Sequence, residues 1–400
     1  MPLKRTYGAV AAFFKLELAG GAMLFAAALA AMFAANAPGA REWYAHFLHM
    51  PVGVIFGEAQ NALPLSHVVN DGLMAVFFFL VGLEIKRELL VGELSSRARA
   101  LLPAAAAAGG MLGPAVIYAG FNWGDDTAIR GWAIPTATDI AFSLGVLSLL
   151  GRRAPFSLKI FLLAIAVIDD LGAIAIIALF YAGELSAAPL LLSAAFLFLM
   201  FMMNHYNVCS RVPYILLGFA LWSCVVQSGV HATLAGVATA FAVPLRVPEG
   251  KKSPLVPLEH DLHVLVTFFI LPLFAFANAG VSFAGLSAGD LLRPLPLGIM
   301  AGLIAGKAVG ITGASWLAVR AGIAELPRGC SWVTVGSLSL LCGIGFTVSL
   351  FIGNLAFAAD NAELVNFVKL GVLTGSALAG MGGYLLLRFV ALNGAKNYEE

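Results

Sequence analysis

Apolar residues occur along this chain in long runs, and short polar stretches separate one run from the next. A helix crosses the hydrocarbon core of a bilayer with about 20 mostly apolar residues. By this measure the pattern predicts twelve membrane-spanning helices and an all-α polytopic fold. The predicted segments are approximately 14–36, 66–86, 100–120, 130–150, 156–182, 186–203, 211–226, 229–246, 260–281, 295–319, 333–356 and 364–391.

The fourth and eleventh segments contain residues that interrupt a helix. Pro135 and Thr136 precede Asp139 in "AIPTATDIAFS", and Gly343 and Gly345 divide "CGIGFTVS". Proline disfavours a continuous helix, whereas threonine and aspartate cap a new one. The interruptions also read alike, as "DIAFS" and "GIGFT". Broken helices at corresponding places in two halves indicate a transporter site with internal repeats, although two small-residue segments can also match by chance.

The longest connection, residues 37–64, contains the short apolar stretch "PVGVIFGEA". Proline and glycine bound this stretch, as they do in many hairpins. The sequence therefore allows either an external β-hairpin or an ordinary loop.

The composition agrees with a membrane protein. Of the 400 residues 60% are apolar and 11% are charged, whereas soluble domains carry about 25% charged residues. No polar stretch is long enough for a separate soluble domain, so we interpret residues 1–400 as one integral membrane domain. The net charge of +1 gives no reason to expect a nucleic-acid partner.

The basic residues predict the orientation, because lysine and arginine concentrate in cytoplasmic loops. If the N-terminus is cytoplasmic, the external side holds only Arg41, Arg130, Arg293 and Lys369, and Lys307 lies within a span. The other 18 of the 23 basic residues then lie on the cytoplasmic side. An error of one helix would remove this asymmetry. The pattern therefore predicts that both termini are cytoplasmic.

Four ionisable residues lie deep in the predicted spans: Asp139, Asp169, Asp170 and Lys307. A charge at the bilayer centre costs about 2.5 to 3.5 kcal/mol on insertion scales, so such residues usually meet in a hydrated cavity. Adjacent helical residues point about 100° apart. One aspartate can therefore pair with Lys307 while the other is left for a cation. The alternative is a set of inert ion pairs, but one base cannot neutralise three acids.

At this point the sequence resembles the NhaA family of bacterial sodium/proton antiporters. The likeness covers nearly the whole chain. It depends on "NDGLMAVFFFLVGLEIKREL", "GWAIPTATDIAFSLG", "AIAVIDDLGAIAI", "GVHATLAG", "PLEHDLH", "PLFAFANAGV" and "GIGFTVSLFI". Together these motifs are highly specific, whereas each alone would be a weaker signal.

The resemblance implies a site and its roles. Asp169 and Asp170 would both take part in proton binding, and Asp170 would be the main sodium ligand. Lys307 would pair with Asp169, while Thr138 and Asp139 would lie where the broken helices cross. Lys307, Thr138 and Asp139 would belong, with the two aspartates, to the ion-binding and proton-carrying site. A second group of residues would respond to pH: Glu84, Arg87, Glu88, His231, Glu259, His260 and His263.

The resemblance also implies the overall behaviour. Helices 3–5 would be repeated, inverted, as helices 10–12. The protein would be an electrogenic, pH-regulated antiporter of the bacterial inner membrane, without a cofactor and not an enzyme. It would exchange sodium or lithium for protons by alternating access, in contact with lipid and as a homodimer joined partly through the external hairpin.

Two other functions place acids in apolar helices. An intramembrane aspartyl protease needs two carboxylates that share a proton, and Asp139 with Asp170 would have to supply them, but the GxGD signature of such enzymes is absent. A passive cation channel could also be lined by acids. Counter-transport in sealed vesicles separates these possibilities, because a channel moves sodium without a stoichiometric proton and a protease moves neither.

Overall fold

The computed structural model describes residues 2–53, 55–56, 59–60, 63–183, 185–248, 250–285, 287–357 and 362–394. This part of the chain is predominantly helical, with only four strands of two residues each. The predicted fold class is therefore confirmed. In chain order the helices are α1 (Pro2–Asn36), α2 (Ala40–His49), α3 (Leu65–Leu90), α4 (Arg97–Phe121), α5 (Ile140–Ser148), α6 (Phe156–Phe180), α7 (Ala187–His205), α8 (Val212–Val226), α9 (Thr233–Ala242), α10 (Leu255–Asn278), α11 (Pro294–Arg320), α12 (Trp332–Leu341), α13 (Phe346–Phe357) and α14 (Ala362–Gly394). Short 3₁₀-helices cover Glu93–Ser95, Ala128–Thr136, Gly151–Arg153 and Ala288–Leu292.

Among the described residues, eight helices are long and apolar enough to cross a membrane, and nine cross if the bent pair α12 and α13 forms one span. The eight are α1, α3, α4, α6, α7, α10, α11 and α14. The remaining predicted segments coincide with the shorter apolar helices α8 and α9 and with the 3₁₀-helix Ala128–Thr136 followed by α5. A helix or helix pair therefore occupies each predicted segment.

The long connection between α2 and α3 forms short antiparallel ladders, which agrees with the hairpin rather than with an ordinary loop. Strand β1 (Pro51–Val52) pairs with β4 (Leu63–Pro64). Strand β2 (Ile55–Phe56) pairs with β3 (Ala59–Gln60). Residues 54, 57, 58, 61 and 62 of this stretch lie outside the described residues.

Two compact units make up the chain. The first comprises Met1–Met32, Ser96–Ala173 and Asn278–Glu400. Within it α4 and α11 touch backbone to backbone, because a Cβ on Gly109 would lie 2.1 Å from the Gly310 carbonyl oxygen. A π-helical turn in α11, Gly302–Gly306, directly precedes Lys307.

The second unit comprises Phe33–Ser95 and Ile174–Ala277. Its core contains large side chains from α3, α7 and α8, among them Leu83, Met200 and Tyr214. Helices α3 and α9 approach closely here, since a Cβ on Gly236 would lie 2.1 Å from the carbonyl oxygen of Ala75. The assignment of residues 1–400 to one transport domain stays a prediction.

Candidate ion site and charged cluster

The two helix breaks of the first unit are bonded to each other. The 3₁₀-helix Ala128–Thr136 ends before the extended residue Ala137, and α5 begins after Asp139. The second break separates α12 from α13, which are bent by 50°. The backbone N–H of Asp139 donates to the carbonyl oxygen of Ile344, at 2.7 Å. The breaks predicted separately from proline, threonine and glycine therefore form one joint.

The Asp139 carboxylate caps the helices that follow both breaks. Its Oδ1 accepts from the backbone N–H of Phe142 in α5, at 2.9 Å. Its Oδ2 accepts from the backbone N–H and the hydroxyl of Thr347 in α13, at 3.1 Å and 2.6 Å. A negative charge at a helix N-terminus is favourable because the partial charge there is positive. One carboxylate thus stabilises two helix starts.

Beside this joint lies a buried ion pair. Lys307 Nζ is 2.7 Å from Asp169 Oδ2, and neither side chain is exposed at all. The ammonium also donates to the hydroxyl oxygen of Thr138, at 2.9 Å. That hydroxyl lies 2.7 Å from Asp169 Oδ2 and 2.9 Å from the Cys342 carbonyl oxygen, so it joins the pair to the second break.

The two aspartates of α6 are adjacent, and both are buried. Asp169 takes the lysine, which is the partner that the resemblance implies. Its other oxygen, Oδ1, is buried and has no hydrogen-bond partner within the described part of the chain. Asp170 follows on the helix and is 2% exposed. A buried carboxylate oxygen without a donor is costly, so Asp169 Oδ1 favours the arrival of a proton or a cation.

The groups that could bind a cation at this site all present oxygen atoms, which suits a hard monovalent ion. The Thr138 hydroxyl, the Asp169 carboxylate and the Cys342 carbonyl group provide them. No group of three or more histidine, cysteine, aspartate or glutamate residues in the described ranges could hold a metal ion.

The predicted pH-response residues fall into separate places. In the second unit, Arg87 Nε is 2.9 Å from Glu259 Oε1, and Arg87 is also 3.2 Å from Glu88. His263 Nδ1 lies 3.6 Å from Glu84 Oε1. These five residues join the end of α3 to the start of α10, and we call them the α3–α10 cluster.

Two of the predicted residues lie apart from the α3–α10 cluster. His260 is exposed. His231 interacts electrostatically with Asp71, which also forms an ion pair with His67 at 3.0 Å. Asp71 lies near the beginning of α3 and Glu84 near its end, about 20 Å away at 1.5 Å per residue. The structure therefore does not bring His231 into the cluster.

Sequence reasoning did not single out three residues with clear roles in this geometry. Thr347 donates to Asp139, and Asp71 forms an ion pair with His67 and interacts electrostatically with His231. Lys86 donates to the carbonyl oxygen of Phe241, at 2.7 Å, and to that of Val243, which satisfies the C-terminal end of α9. In the sequence, Thr347 is the hydroxyl residue of "GIGFT", and Lys86 lies in the charged run "EIKRE".

Comparison with known proteins decides the family. Residues 11–387 match the family described as Na+/H+ antiporter 1. The chain belongs to this family. The Na+/H+ antiporter 1 family, together with the apolar helices, makes it an integral multi-pass membrane protein.

Curated relatives cover almost the same length as this chain. The Na(+)/H(+) antiporter NhaA of Vibrio campbellii is 54% identical over 94% of this chain and 94% of its own. NhaA 1 of Pseudomonas putida is 52% identical over 93% of this chain and 94% of its own. The NhaA of Rhodospirillum rubrum is 52% identical over 99% of this chain and all of its own, 100%. The likeness noticed in the motifs thus extends through the sequence between them.

Proposed function

We propose that the protein is a secondary active transporter, not an enzyme, that extrudes sodium in exchange for protons. Its family and the names of its relatives support this function. The observation that carries the proposal is the buried Asp169–Lys307 pair, with Asp170 as the next residue and two helix breaks beside it.

The exchange follows from competition for shared ligands. A carboxylate binds a proton or a sodium ion well, but one oxygen does not bind both at once. A site that opens alternately to the two sides would therefore carry the two ions in opposite directions. No separate coupling device is needed, because loading one ion requires release of the other.

Each residue has a distinct proposed part in this cycle. Asp170 is the main cation ligand, and Asp169 and Asp170 both take part in proton binding. Lys307 neutralises Asp169 when the site is deprotonated, and the Thr138 hydroxyl supplies a further oxygen. Asp139 already accepts three hydrogen bonds from two helix starts, so we assign it to holding the breaks rather than to carrying an ion.

The α3–α10 cluster is the proposed pH-responsive region. Histidine changes its charge between about pH 5 and pH 8, and His263 lies against Glu84. Protonation there would alter the balance of charge between the ends of α3 and α10. His231 would respond separately, through Asp71.

The remaining proposals concern place and partners. We propose an inner-membrane location in bacteria, cytoplasmic termini, and exchange that is electrogenic and accepts lithium as well as sodium. The ladders β1–β4 and β2–β3 are the proposed contact between two copies in a homodimer. Membrane lipid surrounds the exposed apolar side chains of α7, such as Leu191 and Phe198, which are 72% and 66% exposed.

Inverted membrane vesicles test the function. Respiration acidifies the interior and quenches a pH-sensitive dye, and added sodium or lithium should then restore the fluorescence across a range of pH. A channel would move radioactive sodium without a matching proton, and a protease would move neither ion. A dye response that changes with an imposed membrane potential would show that the exchange is electrogenic.

A further inference from the structure

The start of α13 receives its hydrogen-bond acceptors from two distant parts of the chain. The preceding residues, "GIG", have no side-chain oxygen, so no local N-cap is available. The backbone N–H groups of Gly345 and Phe346 each donate to Ser376 Oγ, both at 3.2 Å. The next N–H, of Thr347, donates to Asp139. Ser376 of α14 and Asp139 together therefore accept the hydrogen bonds of these three backbone N–H groups.

Ser376 is well placed to fix this helix start. It is 7% exposed and lies in the same unit as α13. A hydroxyl oxygen has two lone pairs and can accept from both N–H groups. Without it, two backbone donors would be buried unpaired where water is scarce, which is strongly unfavourable in a membrane. The hydroxyl thus ties α14 to the second break.

The sequence position of Ser376 repeats that of Asp170. The first residues of α5 and α13 are 206 residues apart. Asp170 and Ser376 have the same separation. One half of the chain therefore carries an acid where the other carries a neutral hydroxyl. A neutral acceptor satisfies the N–H groups without attracting a second cation.

We propose that Ser376 is a positioning residue for ion exchange. It fixes the start of α13 against α14, so that the carbonyl of Cys342, on the other side of the break at the end of α12, stays within reach of Thr138. Thr138 in turn contacts the buried ion pair. The effect on exchange rests on the proposed function, whereas the link between α13 and α14 can be tested without it.

Three variants isolate the hydroxyl. Ser376→Ala removes the acceptor and Ser376→Thr keeps it. Ser337→Ala is the matched control, because Ser337 is also buried, at 2% exposure, but donates only to the Val333 carbonyl of its own helix, at 2.8 Å. If Ser376→Ala does not yield folded protein, Ser376→Cys replaces it, since a thiol is a weaker acceptor.

Amide hydrogen exchange tests the link in purified protein. In Ser376→Ala, the amides of Gly345 and Phe346 should exchange on the order of ten times faster, because two buried hydrogen bonds are lost. Ser376→Thr and Ser337→Ala should match the wild type. Unchanged protection in Ser376→Ala would overturn the link.

Transport kinetics test the positioning role. In vesicles, Ser376→Ala should raise the KM for sodium on the order of tenfold, and Ser376→Thr should restore it. Faster amide exchange with an unchanged KM would show that the hydroxyl only stabilises the fold and would overturn the role. If the wild type exchanges no ions, the proposed function fails instead, while the amide measurement still decides the link.

Discussion

The buried ion pair and the α3–α10 cluster contain the same kinds of charge but differ in their access to water. Lys307 and Asp169 have no exposed surface, whereas the side chains of Arg87 and Glu259 are 36% and 15% exposed. Breaking a buried pair on one side leaves an uncompensated charge and costs about 3 to 5 kcal/mol. Exposed pairs contribute about 0 to 1 kcal/mol. The buried pair therefore suits an ion site, where an unpaired charge is strongly unfavourable. The α3–α10 cluster suits a response to pH, because its ion pairs can form and break at small cost.

Replacing Asp170 should have the largest effect. In Asp170→Asn the amide keeps the shape of the side chain but loses its charge, so we expect no exchange at any pH and no sodium binding by calorimetry. The protein should still fold. Asp126→Asn, in an exposed loop, is the control and should exchange normally. Full activity in Asp170→Asn would contradict the assignment of the site.

A double-mutant cycle measures the buried pair itself. Asp169→Asn and Lys307→Gln should each lower the free energy of unfolding by about 3 to 5 kcal/mol, because each leaves one buried charge alone. The paired variant should be more stable than either single variant, although all three should lose exchange. Thermal unfolding in detergent provides the measurement. No gain in the paired variant would mean that the two charges do not interact as proposed.

In the α3–α10 cluster, a substitution should shift the pH dependence of exchange rather than abolish exchange. Protons compete with sodium at Asp169 and Asp170, so exchange should fail on the acid side. Glu259→Gln resembles the protonated acid, so the pH of half-maximal exchange should move to more alkaline values. An ion pair of up to 1 kcal/mol corresponds to a shift of up to about 0.7 pH units. The dye assay across pH measures it. Loss of exchange at every pH would place Glu259 in the transport site instead.

The smallest effect separates the two histidines of α10. His263→Gln should move the pH profile to more acidic values by a few tenths of a unit, because a proton no longer has to leave beside Glu84. His260→Gln should change nothing, since His260 is exposed and lies outside the cluster. Equal shifts of the pH profile in His263→Gln and His260→Gln would mean that an exposed histidine affects exchange as much as the histidine paired with Glu84. Unchanged profiles in these variants and in Glu259→Gln would leave competition at the aspartates as the only source of pH dependence.

The sequence was sufficient for the helices and the acids at the centre. Apolar run length does not depend on tertiary contacts, so the predicted spans coincide with helices. The cost of burying charge in lipid also makes Asp169, Asp170 and Lys307 stand out from their neighbours without any coordinates. Both helix breaks could also be predicted from the sequence, because the backbone preferences of proline and glycine are local.

Partners across the fold were harder to predict. Nothing near Asp139 indicates that Thr347 would share its carboxylate, since more than 200 residues separate them. The family likeness linked His231 to the pH response but gave no partner for it, and the structure shows that it interacts with Asp71. The helical period alone places His260 and His263 on one side, but only the packing of α3 against α10 decides which of them meets an acid.

The contact between α4 and α11 has a consequence for how this protein can change by mutation. At Gly109, Gly113, Gly306 and Gly310 an added methyl group would meet backbone atoms within 2.1 to 2.6 Å, and backbone cannot rotate away as a side chain can. On the same two helices, Gly120 and Gly313 have nothing within 4 Å. Random substitution should therefore be tolerated at Gly120 and Gly313 but not at the four contact glycines. A saturation library selected for growth in salt should then show invariant positions along the α4–α11 contact and variable positions beside it.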